Sequence, residues 1–178
     1  IDNDSGGLVS AALKSGDFQG KAGDTLMLQA SGGAARVLLL GLGKNRADRD
    51  ALRKACSSLA RSVLGTSATD ALLLAPEMKV ASADLAWFGT TLARELVCQA
   101  YRYTKTLSTP KPPPALRRFT VATTDAATAR TLRAHLERGA RIGAGINLAR
   151  NLANLPGNHC TPEHLAREAR RLARGNAR

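Results

Sequence analysis

A chain of 178 residues is long enough for one domain with a single core and too short for two full ones. Its 44% hydrophobic and 22% charged residues exclude wholesale disorder, and no apolar run reaches the length of a bilayer-spanning helix. The formal net charge of +12 is unevenly placed: residues 91–178 carry 16 Lys+Arg against 5 Asp+Glu, residues 1–90 only 10 against 9. The basic half reads as a face for nucleic acid or another polyanion, as an arginine-rich bias on solvated helix faces, or as a face normally covered by acidic protein. Residues 1–7 have neither the basic segment nor the apolar stretch of a secretion signal, so a soluble cytoplasmic protein with no membrane partner is expected. Cys56, Cys98 and Cys160 are odd in number and widely separated, as reduced thiols would be.

Residues 25–30 (TLMLQA) and 36–41 (RVLLLG) flank Ser31-Gly32-Gly33, which predicts a β-hairpin. The second run is nearly all apolar, as in a strand covered on both faces, so helices are expected to flank the sheet. Asp48 or Asp50 can cap a helix in which Leu52, Cys56, Leu59 and Val63 recur at helical spacing until Gly65. Residues 71–75 read as another buried strand. In residues 83–103, Leu85, Phe88, Leu92, Leu96, Ala100 and Tyr103 fall on one helical stripe that should lie on the sheet. The proline-rich stretch 109–114 cannot be helix interior and reads as an exposed, stiff connector.

Residues 117–123 (RRFTVAT) alternate as a further strand, and Asp125 can cap the long helix that follows. In that helix Ala129, Leu132, Leu136, Gly143 and Ile146 share one side, while Arg130, Arg133 and Arg141 gather on the other with Glu137. Gly139, Gly143 and Gly145 weaken the helix, which points to close packing of another backbone there. Arg150 would fall on the apolar side, so either the helix ends before it or Arg150 points into an interface; the turn signal at residues 154–158 favours an end before it. Thr161, Pro162 and Glu163 then start a terminal helix closed by Gly175-Asn176. Its apolar stripe of Leu165, Ala169 and Leu172 is narrow, as in a helix that rests against something beyond this chain's own core. Alternating strands and helices make the class α/β, a mixed sheet flanked by helices on both faces.

Chemical motifs are sparse. Gly41-Leu42-Gly43-Lys44 follows an apolar strand as a phosphate loop would, but Leu38, Asn45 and Arg46 stand where the nucleotide fingerprints need Gly, Ser/Thr and Gly. His159, Cys160 and His164 lack a second cluster to complete a zinc site, and His135 reads as an ordinary helix residue. No nucleophile elbow, HExxH helix or dense carboxylate group is present, so the residues alone describe a binding, regulatory or assembly domain.

The run Ala149-Arg150-Asn151-Leu152-Ala153-Asn154-Leu155-Pro156-Gly157-Asn158, followed by Cys160-Thr161-Pro162 and Leu165-Ala166, resembles the junction that closes the N-terminal domain of the leucyl (cytosol) aminopeptidases, the M17 metallopeptidases. Asp17-Phe18-Gln19-Gly20-Lys21, the stretch from Arg36 to Lys44, and Tyr101-Arg102-Tyr103 with Lys105 resemble the same family upstream. Asn151 departs from it, standing where the family pattern usually has Asp.

The resemblance implies a macro-domain-like fold over residues 1–153. Residues 154–178 would form a turn and linker helix toward a C-terminal catalytic domain, with Arg150, Asn154, Pro156, Asn158, Thr161 and Pro162 at the junction. It implies a homo-hexameric cytoplasmic enzyme that removes N-terminal residues from peptides with two divalent ions, Mn or Zn. This stretch would hold no catalytic or metal-binding residue and be inactive alone. Some bacterial members also bind duplex DNA as recombination accessory factors or transcriptional regulators, which makes Arg117, Arg118, Arg130, Arg133 and Arg141 candidate phosphate contacts.

Overall fold

The computed structural model describes residues 7–30, 33–44, 48–74 and 82–175, the side chains of 82–84 excepted. Ser31-Gly32 of the hairpin turn, Ala75, Asn45 with Arg46, and Asn176 lie outside the described residues. In chain order the elements are α1 (Leu8–Ser15), β1 (Thr25–Gln29), β2 (Arg36–Leu40), α2 (Arg49–Leu64), β3 (Asp70–Leu74), α3 (Ser82–Ala100), β4 (Arg118–Ala122), α4 (Ala126–Asn154) and α5 (Pro162–Gly175).

β1 and β2 pair antiparallel, with Met27 opposite Leu38, and β3 and β4 pair parallel, with Leu72 opposite Thr120. Among the described residues these are two separate two-stranded sheets, one of each sense, where the sequence led us to expect one mixed sheet; the α/β class stands. The parallel pair needs a crossover between β3 and β4, and α3 supplies it. The caps are set locally: the carboxylate of Asp48 accepts from the amide of Asp50 at the start of α2, and that of Asp125 accepts from the amide of Thr128 at the start of α4. These bonds hold Asp125 below the usual carboxylate range.

One core joins the pieces. Cys56, Leu59 and Val63 of α2, Phe88 and Leu92 of α3, and Leu132 of α4 are buried together. Leu38 and Leu40 of β2, Ala71 and Leu73 of β3, and Phe119 and Val121 of β4 pack against them. β3 departs from the expectation of a buried strand: its burial alternates, and Leu72 and Leu74 on the other face are 61% and 41% exposed. An all-apolar run looks the same in sequence whether one face or both are covered. α3 also stops at Ala100, so Tyr103 is not on its stripe.

The most extensive helix contact is between α3 and α4, and small residues permit it. A Cβ at Gly139 would overlap the carbonyl oxygen of Thr90, and one at Gly143 would come within 2.8 Å of Val97 Cβ. Gly145 differs from expectation, since nothing lies within 4 Å of a Cβ there. Gln99 ties α3 to α2, donating from Nε2 to the Ser57 carbonyl at 3.0 Å and the Ser57 hydroxyl at 2.9 Å.

Burial pushes the Cys56 thiol up to about 12, with Glu95 adding to the rise. We expect Cys56 to resist iodoacetamide at about pH 8 while the chain is folded and to react once urea unfolds it. Equal labelling rates in both states would contradict this. The unfolded thiol ionises near the ordinary value of 9.0, the folded one at about 12. The unfolded state thus releases its proton first, and stability should fall as pH rises through that interval.

Candidate functional site at the α3–α4 junction

α4 does not end before Arg150; it continues to Asn154, and this places Arg150 over the end of α3. Its guanidinium donates from NH1 to the Cys98 carbonyl at 2.9 Å and lies 5.6 Å from the ring centroid of Tyr101. One turn earlier on α4, Asn147 donates to the Val97 carbonyl at 2.9 Å. Carbonyls in the last turn of a helix have no partner within it, and α4 side chains satisfy these two. A residue expected on an apolar side is thus tolerated, because its charge meets a helix C-terminus and an aromatic face.

Tyr101 completes the clamp. Its hydroxyl donates to Asn151 Oδ1 at 2.9 Å and accepts from Asn154 Nδ2 at 3.3 Å. Asn151, the departure from the family pattern, is thus the acceptor for Tyr101 and serves without a charge. We expect Tyr101→Phe to lower stability by about 1–2 kcal/mol, since Asn151 and Asn154 both lose a partner. Urea denaturation measures it, and a change below about 0.3 kcal/mol would show that the clamp carries no energy.

Beyond the clamp the chain turns at Pro156, whose carbonyl accepts from the amides of His159 and Cys160, both at 2.9 Å. The exposed Asn158 lies within this turn. Thr161 caps α5, its hydroxyl accepting from the amide of His164 at 3.2 Å, and Pro162 takes the first helical position. The junction residues Arg150, Asn154, Pro156, Asn158, Thr161 and Pro162 thus form one continuous stretch from the end of α4 to the start of α5. No residue of α5 is buried, and Leu165 and Leu172 are 45% and 47% exposed.

The other candidates disperse. Arg117, Arg118, Arg130, Arg133 and Arg141 are all exposed. Arg118 faces Asp70 at 3.8 Å and Arg133 pairs with Glu137 at 3.2 Å. Arg117 and Arg118 lie at the start of β4, on a different element from the α4 row. Arg167, Arg170, Arg171 and Arg174 of α5 were missed as a group, although they recur at helical spacing. In the glycine-rich loop, the Gly41 amide donates to Asp24 O at 2.8 Å and the Gly43 amide to Gly20 O at 3.0 Å, so neither is available to a phosphate. Among the described residues, no three His, Cys, Asp or Glu side chains gather as metal ligands would, so the described part of this chain does not fit a metal ion. No described helix is long and apolar enough to cross a membrane.

Comparison with known proteins shows the family. The model for the cytosol aminopeptidase family, N-terminal domain, matches residues 1–110. A probable cytosol aminopeptidase of Alkalilimnicola ehrlichii is 39% identical over 180 residues, covering 98% of this chain and 36% of that relative. One of Halorhodospira halophila is 37% identical, covering 97% and 36%. The chain therefore spans about a third of the length of the curated relatives it matches. Among solved structures, a tomato leucine aminopeptidase mutant superposes with a TM-score of 0.76 over 98% of this chain and 34% of that one, at 23% identity, which shows the fold. The bottromycin maturation enzyme BotP in complex with Mn superposes at 0.70 and 26% identity over 93% of this chain and 33% of its own. With its mixed α/β fold and a match over nearly its whole length, the chain belongs to the cytosol aminopeptidase family, as the family's N-terminal domain.

Proposed function

We propose that this chain is the non-catalytic N-terminal domain of a cytoplasmic, metal-dependent leucyl aminopeptidase, helping to assemble a homo-hexamer and limit access to its active sites. The observation that carries this reading is the match over 98% of the chain to relatives of which it spans only 36%. In this reading residues 154–178 link to a C-terminal catalytic domain, which holds two divalent ions, Mn or Zn, and cleaves N-terminal residues from peptides. The exposed Leu165 and Leu172 of α5 support a docking role, because a helix of 14 residues with no buried side chain has little to hold it in place. An antibody against this domain, applied to cells that make the protein, tests the reading. A band far above 18.7 kDa that co-purifies with metal-dependent aminopeptidase activity is expected, with no such activity in the 178-residue chain. A native band at 18.7 kDa would overturn it.

A second reading, duplex DNA binding, is supported by the exposure of Arg117, Arg130 and Arg141 beside the ion-paired Arg118 and Arg133. It requires an affinity that falls steeply with salt as counterions are released. Salt-independent binding, or none at low salt, would remove it.

A further inference from the structure

A groove of about 710 Å³ lies between the connector that follows α3 and the first turns of α5. Lys105, His159, His164 and Arg167 line it, and Thr161 and Asn158 add polar groups, with no carboxylate on the lining. His164 Nε2 is buried and has no hydrogen-bond partner among the described residues. A buried ring nitrogen left unpaired is unfavourable unless a ligand satisfies it. The nearby carboxylate of Glu168 is already engaged, accepting from Arg171 at 2.7 and 3.0 Å, and is held below the usual range by that bond first and by His164 and Lys105 less.

We propose that this groove is an oxyanion site. Lys105 and Arg167 supply permanent charge, the imidazoles and the Thr161 hydroxyl supply donors, and the N-terminal end of α5 adds its dipole. The same donors would also accept a carboxylate from a downstream part of the protein, so phosphate and carboxylate are two sources of one chemistry. The site is separate from the glycine-rich loop at residues 41–44, whose glycine amides are engaged, and from the arginine row of α4.

The test is a titration of the 178-residue chain with inorganic phosphate against sodium chloride of equal ionic strength, followed by the ring ¹H–¹⁵N signals of the histidines. A saturable shift of His164 with phosphate alone is expected. Lys105→Gln and Arg167→Gln should each weaken the apparent Kd at least about fivefold, and Arg61→Gln, at an exposed position of α2, should leave it unchanged. Both altered residues are exposed, so the fold is retained, and the phosphate-free melting temperature checks this. No saturable shift, an equal shift with chloride, or one unaffected in the Lys105→Gln/Arg167→Gln double variant would overturn the proposal.

Repeating the titration on a longer protein that carries the downstream domain separates the two sources, and only this arm rests on the proposed function. Retained binding assigns a free phosphate ligand. Lost binding with His164 already shifted from its phosphate-free position assigns a downstream carboxylate. Lost binding with His164 unshifted overturns the proposal.

Discussion

Leu92→Ala is expected to lower the stability of the chain by about 3–4 kcal/mol, the largest effect of any single truncation considered. Leu92 is 0% exposed and stands on α3 between α2 and α4, inside the cluster of Cys56, Leu59, Phe88 and Leu132. Removing three carbons loses their transfer free energy and leaves a cavity that three packed helices cannot collapse around. At this chain length the melting temperature should fall by about 6–15 °C. Leu72→Ala is the control: a leucine 61% exposed on β3 should change stability by no more than about 0.5 kcal/mol. Similar losses for the two variants in urea denaturation would mean that the core is not where this structure places it.

The second prediction uses one substitution at two glycines of one helix. Gly139→Ala should destabilise by about 2 kcal/mol, because the new methyl group overlaps the Thr90 carbonyl oxygen of α3, and backbone cannot rotate away as a side chain can. The intrinsic preference of helices for Ala over Gly, about 1 kcal/mol, offsets only part of the strain. Gly145→Ala should instead stabilise by about 0.5–1 kcal/mol, since that position is open and only the helix preference remains. The expected result is melting temperatures that move in opposite directions. A stabilised Gly139→Ala would show that α3 and α4 are further apart than described. Because Arg150 and Asn147 reach the end of α3, and Asn151 reaches Tyr101 just beyond it, from the same helix, loosening this contact should also loosen the junction clamp.

Much of this was legible because its causes are local. The hairpin, the Asp125 cap, the Thr161-Pro162 start of α5 and the stripe of α3 each depend on residues a few positions apart, and sequence displays those directly. α1 went unread: its eight residues are short of a clear periodic signal, although Gly7 and Gly16, both at positive φ, bracket it. The α5 arginines were visible as composition, but a shared groove with Lys105 depends on where the chain returns after the connector. Family membership was also legible, because the junction motif lies in consecutive residues.

Near neighbours in the chain specify the α/β class, the family, and the helices and strands other than α1. The tertiary structure alone decided that Arg150 continues α4 and caps α3, that Gly139 is required for space while Gly145 is not, and that β3 has one open face. It also decided that His164, with a ring nitrogen unpaired among the described residues, lines one groove with Lys105 and Arg167. The physical reason is the same in each case. Caps and periodicity are energies between near neighbours in the chain, whereas the partner of a carbonyl, the space beside a glycine and the solvation of a ring nitrogen are set by segments about 50 residues away, as in the bond from Arg150 to Cys98.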